Sequence, residues 1–180
     1  NPFGADHMSS NHDGSLSADP LSEAVKAFGF EKGVPMKDLD FEKAKLVSYT
    51  QRFYSALDTL DLCMFCFGIN ILFSADDVVS LVNMSTGWDV NRWEIMKLGE
   101  RRINMLRAFN FREGFTKEDD SLPARAFETL KGGPSDGNRI DEAQFTEARR
   151  QYYELMGWNP KTGEIPATKL MELGLDWIAI

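Results

Sequence analysis

The sequence predicts a mostly α-helical domain of irregular architecture. Three observations carry this. Apolar residues recur at three- and four-residue steps along several stretches. Capping residues stand just ahead of these stretches and glycines just behind them. No run alternates apolar and polar residues long enough to form a strand. No internal repeat is evident.

Residues 1–40 are rich in Ser, Asp, Asn, Gly and Pro and read as a loop-rich lead-in, with a short helical pattern near Ser22–Phe28. From Phe41 the period is helical: Phe41, Ala44, Val47 (or Leu46), Phe53 (or Thr50), Leu57, Leu60 and Met64 share a face. Asp40 caps the start, and Gly68, just past Cys63–Phe67, is the expected stop. Ser74 and Asp77 have capping-box spacing ahead of Val78, Leu81, Val82 and Met84, and Gly87 ends that helix. Asn91 and Glu94 repeat the pattern before a long helix of roughly Arg92 to Phe111. Its expected apolar stripe is Trp93, Met96, Ile103, Leu106 and Phe109 (or Ala108). Gly99 interrupts this helix at a cost of about 1 kcal/mol relative to Ala, which close approach of another backbone would explain. Gly114 marks its end. Residues 115–140 read as loop. A helix from Glu142 to Met156 stops at Gly157, and a short one follows near Ala167–Leu173.

Composition narrows the function. The chain has 180 residues, a size for one domain or for part of a larger protein. Hydrophobic residues make up 43%, with thirteen Phe and four Trp, enough for a core. The net charge of -8 disfavours phosphate backbones and anionic lipid, so nucleic acid and membranes are poor partners. The most apolar stretch, Leu62 to Phe73, is shorter than the roughly 20 residues that span a bilayer. No signal peptide is visible. Two cysteines without a framework fit a reducing, cytoplasmic location. Asp136-Gly137-Asn138 ahead of Asp141-Glu142 fails the calcium-loop spacing. Phosphate-binding and nucleophile-elbow motifs are absent.

Cys63 and Cys66 form a Cys-x-x-Cys at the expected C-terminal end of a helix. A redox pair normally stands at a helix N-terminus, and a zinc ribbon needs a second pair. By spacing alone the two read as buried structural thiols. Asp58 reads as a solvated helix acid, His7 as a surface histidine with His12 as its neighbour in sequence, and Glu100, Arg101, Arg102, Asn104 and Arg107 as ion pairs tying a helix to its surroundings.

A series of motifs adds to this reading. Gly4-Ala5-Asp6-His7, Asp58-Thr59-Leu60-Asp61-Leu62-Cys63 and Gly87-Trp88-Asp89 come first. Leu98-Gly99-Glu100-Arg101-Arg102-Ile103-Asn104, Phe109-Asn110-Phe111-Arg112-Glu113-Gly114 and Asp120-Ser121-Leu122-Pro123 follow in order. The series resembles the C-terminal part of the tungsten-containing aldehyde:ferredoxin oxidoreductase family, over nearly the whole chain. The resemblance implies the C-terminal helical domain of a larger enzyme (41–180), with the lead-in (1–40) carrying part of the active site. The implied cofactors are a tungsten (or molybdenum) bis-pyranopterin and a [4Fe–4S] cluster. The implied reaction oxidises an aldehyde to a carboxylate and passes electrons to ferredoxin or another carrier.

In that family an Asp-x-x-Gly-Leu-Cys motif supplies a pterin-binding acid and the last of four cluster cysteines. Asp58 matches the acid, Leu62 the leucine beside the cofactor, and Cys63 the cluster ligand. Cys66 has no matching role and is expected in the core. Asp61 stands where the family usually has glycine. His7 matches a histidine near the metal, placed for proton transfer, a task suited to an imidazole; His12, five residues on, is its competitor, and the matching glycine ahead of His7 favours His7. Because ferredoxins are generally acidic, as this chain is, the carrier is expected to dock on other parts of the enzyme. The remaining domains of the same enzyme are expected partners, a homo-oligomeric state stays open, and the chain alone, without three of the four cluster cysteines, is expected to be inactive. Two alternatives stand beside this: a related tungsten enzyme that reduces an aromatic ring or another carbonyl, and a non-catalytic helical module.

Overall fold

The computed structural model describes residues 4, 6–11, 14, 16–18 and 20–178. Ala5 and His12 therefore lie outside the described residues. Among the described residues seven α-helices follow in order: α1 (Glu23–Lys26), α2 (Phe41–Thr59), α3 (Met64–Phe67), α4 (Ala75–Thr86), α5 (Arg92–Arg112), α6 (Glu142–Met156) and α7 (Ala167–Glu172). Two short 3-10 turns, Ala124–Phe127 and Gly133–Ser135, interrupt the loop before α6. No strand occurs among the described residues. Among the described residues no helix is long and apolar enough to cross a membrane.

The capping signals work as the sequence indicates. Asp40 accepts the Lys43 amide at the start of α2. Ser74 with Asp77 and Asn91 with Glu94 close full capping boxes. Gly87 and Gly157 end α4 and α6 in the left-handed conformation, where glycine has no Cβ penalty.

α2 is the axis of the fold and packs against α3, α5 and α6. It is buried almost all round, including Ser48, Thr50, Gln51 and Ser55, because it has a neighbour on most sides. Thr50 and Ser48 satisfy their hydroxyls on the carbonyls of Leu46 and Lys45. α5 crosses α2 at Gly99. A Cβ built there would lie 1.7 Å from the carbonyl oxygen of Arg52, so the two backbones touch where no other residue fits.

Two cores flank this crossing. The first gathers Phe53 and Leu57 of α2, Val78 and Val82 of α4 and Ile95 of α5. Leu16, Leu21, Val25, Phe28, Phe30 and Val34 of the lead-in join them. Phe28 meets Phe53 edge-on at 4.9 Å between centroids. The second gathers Ile103 and Ala108 of α5 with Tyr153, Met156, Trp158, Leu170 and Leu175. α5 thus ties both cores together.

Two expectations are corrected. The first long helix does not run on to Gly68. It ends at Thr59, and the chain reverses through Asp61 at φ 55°. The Leu62 amide donates to the Leu57 carbonyl (2.9 Å) and the Asp61 amide to Asp58 (3.4 Å), the paired closure of a Schellman turn. Leu62 then folds back onto the first core beside Leu57. The turn escapes a sequence reading because aspartate, not glycine, occupies its left-handed position.

The second correction concerns α5. Trp93 (66%) and Phe109 (59%) are exposed. The buried face is Ile95, Gly99, Glu100, Ile103, Asn104 and Ala108, so Ile103 and the alternative Ala108 of the expected stripe hold. Three of these are glycine or polar, so a count of apolar residues finds only part of the face.

Candidate cofactor-binding edge

The Schellman turn brings Asp58, Leu62 and Cys63 together at one end of α2. Asp58 occupies the last turn with its carboxylate exposed. Arg102 reaches across from α5, placing Nη1 3.1 Å from Asp58 Oδ2 and 3.3 Å from Ser55 Oγ. The arginine fixes the carboxylate from the core side and leaves its other face to solvent. Arg102 was read from sequence as a structural cation. Its partner is the candidate pterin ligand itself, across 44 residues of chain.

Leu62 is half-buried and anchors the turn. Cys63 follows with an extended backbone (φ -66°, ψ 121°) as the N-cap of α3, and its side chain makes no capping hydrogen bond. The Cys63 thiol is exposed and that of Cys66 half-buried, and both are free. Neither is a buried structural thiol, and the pair does not sit at the end of a long helix. Because the chain breaks at Asp61, Cys63 begins a new helix.

Around Cys63 the surface is apolar. Phe65, Ile71, Leu72 and Phe73 are exposed, Leu72 at 74%. Phe73 stacks on Phe67 at 4.8 Å. The amides of Leu72 and Phe73 donate to the Cys66 carbonyl at 3.2 Å, which closes the loop behind α3. Gly68 fits where a Cβ would strike the Met64 carbonyl and the Tyr54 hydroxyl. That hydroxyl donates to Asn11 of the lead-in. Burial pushes the Tyr54 phenol above its ordinary pKa, so it stays protonated as a donor.

His7 lies elsewhere along α2. It is exposed, in a turn whose first residue, Asp6, accepts the Met8 amide (2.9 Å) and the Ser9 hydroxyl (2.7 Å). This turn walls a cavity of about 320 Å³ together with Lys43, Val47 and Gln51 of α2 and Phe145, Tyr152 and Trp158. Ser10 meets Thr50 at 2.6 Å. Gln51 precedes Asp58 by seven residues, about 10 Å along a helix at 1.5 Å per residue. The structure therefore groups Asp58, Leu62 and Cys63, and sets the turn that carries His7 further back along the same helix.

Asp120, Ser121 and Leu122 of the Asp120-Ser121-Leu122-Pro123 motif line the same cavity. Arg107 holds Asp120 at 2.6 Å and Tyr153 donates to the same carboxylate. Burial, then the Asp120 contact, raises the Tyr153 phenol pKa. Arg107 also packs on Trp158 and Phe111, at 4.8 Å from each ring. Two motifs more than 100 residues apart in sequence thus meet at one cavity, a convergence that sequence spacing could not indicate.

A four-thiolate cluster needs more ligands than this chain gathers. Among the described residues no group of three or more His, Cys, Asp or Glu side chains is placed to hold a metal ion. An exposed thiol beside an exposed carboxylate nevertheless suits one ligand and one hydrogen-bond acceptor of a site completed from outside.

Comparison with known proteins gives a consistent picture. The family model described as "Aldehyde ferredoxin oxidoreductase, domains 2 & 3" matches residues 1–175. The tungsten-containing aldehyde ferredoxin oxidoreductase of Pyrococcus horikoshii is 36% identical over 151 residues, 80% of this chain and 24% of that protein. The Pyrococcus furiosus protein of the same name is 35% identical over 150 residues, 79% of this chain and 24% of that protein. The chain thus spans about a quarter of the length of these curated relatives. Among solved structures, the active site complex BamBC of Benzoyl Coenzyme A reductase in complex with 1,5 Dienoyl-CoA matches with a TM-score of 0.65. At 21% identity it covers 91% of this chain and 22% of that one, a likeness of fold.

Proposed function

Since the chain belongs to the aldehyde ferredoxin oxidoreductase family, we propose that it forms the C-terminal helical part of a tungsten-pterin, iron–sulfur enzyme. That enzyme would oxidise aldehydes to carboxylates and deliver electrons to ferredoxin. The observation that carries the reading is the turn at the end of α2, which presents Asp58 and Cys63 at the surface on either side of a core-anchored Leu62. Residues 1–40 and 41–180 would then share one site, with the lead-in supplying His7.

Bound between this edge and the rest of the enzyme, a tungsten (or molybdenum) pterin would supply two-electron redox chemistry and a [4Fe–4S] cluster the path for electrons. The residues of this chain have simpler tasks. Asp58, held by Arg102, accepts N–H hydrogen bonds from the pterin edge, and an ionised acceptor makes the stronger bond. Cys63 donates one thiolate to the cluster. Leu62 keeps both at a fixed spacing. His7 exchanges a proton with the substrate side of the site. The exposed apolar surface of Phe65, Ile71, Leu72 and Phe73 excludes water once covered, which strengthens these polar contacts. Two free cysteines accord with a reducing cytoplasm. The acidity of the chain favours a ferredoxin docking site on the other domains.

Anaerobic elemental analysis of the natural-length protein tests the proposal. About one W (or Mo) and four Fe per chain are expected, with Fe lost in Cys63→Ser and pterin lost in Asp58→Ala. Metal-free protein from oxygen-free material would overturn it and leave a helical module without the site. A ring-reducing relative would show the same metals and no aldehyde turnover.

A further inference from the structure

We propose that Cys63 and Cys66 are a redox-active dithiol. In the metal-free protein, Cys63 captures a small-molecule disulfide such as oxidised glutathione, and Cys66 resolves the adduct into an intrachain Cys63–Cys66 disulfide.

The geometry comes from α3. Cys63 is the N-cap and Cys66 stands three residues on, with its amide donating to the Cys63 carbonyl at 2.9 Å. Side chains at these two positions can meet, as the start of α4 demonstrates. There they are Ser74 and Asp77, whose side-chain oxygens lie 2.7 Å apart. At the start of α5 they are Asn91 and Glu94, and the Glu94 carboxylate reaches back to the Asn91 backbone amide at 2.9 Å. Cysteines at the same positions in α3 would draw on this closeness to form a disulfide, which needs about 3.5–4.5 Å between Cβ atoms. Cys63 has no capping hydrogen bond to give up. Cys66 is fixed from behind by the Leu72 and Phe73 amides on its carbonyl.

Exposure sets the order of events. Cys63 is exposed and meets the reagent first, while Cys66 is half-buried. The Cys63 sulfur attacks one sulfur of the reagent RSSR. The S–S bond of the reagent breaks, its first half leaves as RS⁻ and takes up a proton, and the Cys63 proton passes to solvent. The Cys66 sulfur then attacks the Cys63 sulfur and expels the second RSH. In sum, two cysteine thiols and RSSR give one intrachain disulfide and two RSH. A thiol reductant reverses both steps.

One consequence rests on the proposed cluster role of Cys63. A sulfur in the disulfide is unavailable as a ligand, so oxidation of an empty site blocks cluster insertion until a reductant restores the thiol. Cys66, with no counterpart among the family's ligands, would then be the resolving half of this switch.

The test uses the natural-length protein freed of metal. It is treated with oxidised glutathione, blocked with iodoacetamide, digested with trypsin and weighed. Residues 53–92 contain no internal Lys or Arg, so both cysteines fall on one peptide. Wild type is expected to yield that peptide lighter by two hydrogens and free of glutathione. Cys66→Ser is expected to retain glutathione on Cys63 at a level at least about tenfold above wild type, because the resolving attack is intramolecular. Equal glutathionylation of wild type and Cys66→Ser, or two alkylated cysteines in the wild type, would overturn the proposal. In a parallel arm on the metal-loaded protein, a disulfide that forms while iron content stays whole would uphold the dithiol and instead remove Cys63 from the cluster.

Discussion

Gly99→Ala tests the packing on which the edge depends. The added methyl would lie 1.7 Å from the Arg52 carbonyl oxygen, 2.7 Å from its carbon and 2.9 Å from the Ala56 amide nitrogen. All three are backbone atoms of α2, so no side chain can swing aside. Reaching an ordinary contact of 3.4 Å requires the helices to part locally by on the order of 1.5 Å. Overpacking of this kind costs typically about 1–3 kcal/mol, more where backbone must shift. Alanine's helix propensity returns about 1 kcal/mol. With the cost at the upper end, about 3 kcal/mol, because all three contacts are backbone, the net is a loss of about 2 kcal/mol, or a Tm lower by roughly 4–8 °C for a chain of this length. The crossing also sets the reach of Arg102 to Asp58, at 3.1 Å, and of Arg52 to Glu100, at 3.5 Å. Pterin and tungsten retention is therefore expected to fall alongside stability. Thermal unfolding followed by circular dichroism measures the first and elemental analysis the second. A variant as stable as wild type would refute the account of Gly99 as a contact glycine.

Other perturbations follow from the same geometry. Asp61→Gly is expected to stabilise by roughly 1 kcal/mol in urea titration, because it removes a Cβ from a left-handed position. Arg102→Ala should change stability by less than about 1 kcal/mol, since the pair is partly exposed, yet lower pterin content as Asp58 loses its anchor. Glu100→Gln should cost roughly 3 kcal/mol by leaving the half-buried lysine and arginine partners short of their buried anion, read from the urea midpoint. Acid should act on the same cluster. At Glu100 burial raises the pKa, but hydrogen bonds from Lys169 and Lys97 and the Arg52 charge outweigh it and hold the group low. Glu172 is held at about 2 by hydrogen bonds from Lys169 and Lys97. Both shifts are downward, so their stabilisation is complete above the ordinary value near 4.5 and is lost as pH falls from there toward 2. A Tm that stays flat across that window would contradict the cluster's role.

Much of this fold is legible in the sequence because its signals are local. A capping box at Ser74 or Asn91 involves residues three apart, and a glycine stop at Gly87 or Gly157 needs one residue, so helix bounds follow from short-range chemistry. Gly99 is legible as an anomaly, a helix-interior glycine in need of a reason. What the sequence hides is of two kinds. One is a conformation carried by an unexpected residue: Asp61 turns the chain where glycine would have announced the turn, and this moves Cys63 from a helix end to a helix start. The other is tertiary. Arg102 reaches Asp58, and the Asp120 motif and the Asp6 turn line one cavity, through placements that no spacing rule encodes. The buried face of α5 belongs here too. Its Glu100 and Asn104 are buried because Lys169 and Trp158 reach them from distant segments, at 2.6 and 2.7 Å.

The Asp61 substitution also bears on how the edge works. In a Schellman turn the left-handed residue carries its side chain away from the helix, so Asp61 presents a second exposed carboxylate three residues from Asp58. Arg102 pairs with Asp58. The edge therefore holds two acids and one cation before any cofactor arrives, and a thiolate at Cys63 would add another negative charge. A negative edge disfavours an anionic cluster by Coulomb repulsion, and the repulsion grows as water is excluded. It also favours the oxidised, less negative form of any redox group placed there, lowering its reduction potential. Asp61→Gly and Asp61→Asn separate the two effects of this residue. Both remove the charge, while only glycine fully removes the backbone strain, asparagine tolerating the left-handed region better than most residues. If charge governs the edge, the two variants should raise the cluster potential alike, with glycine alone adding most of the stability. Equal potentials in wild type and both variants would show that Asp61 acts on the turn and not on the electrons.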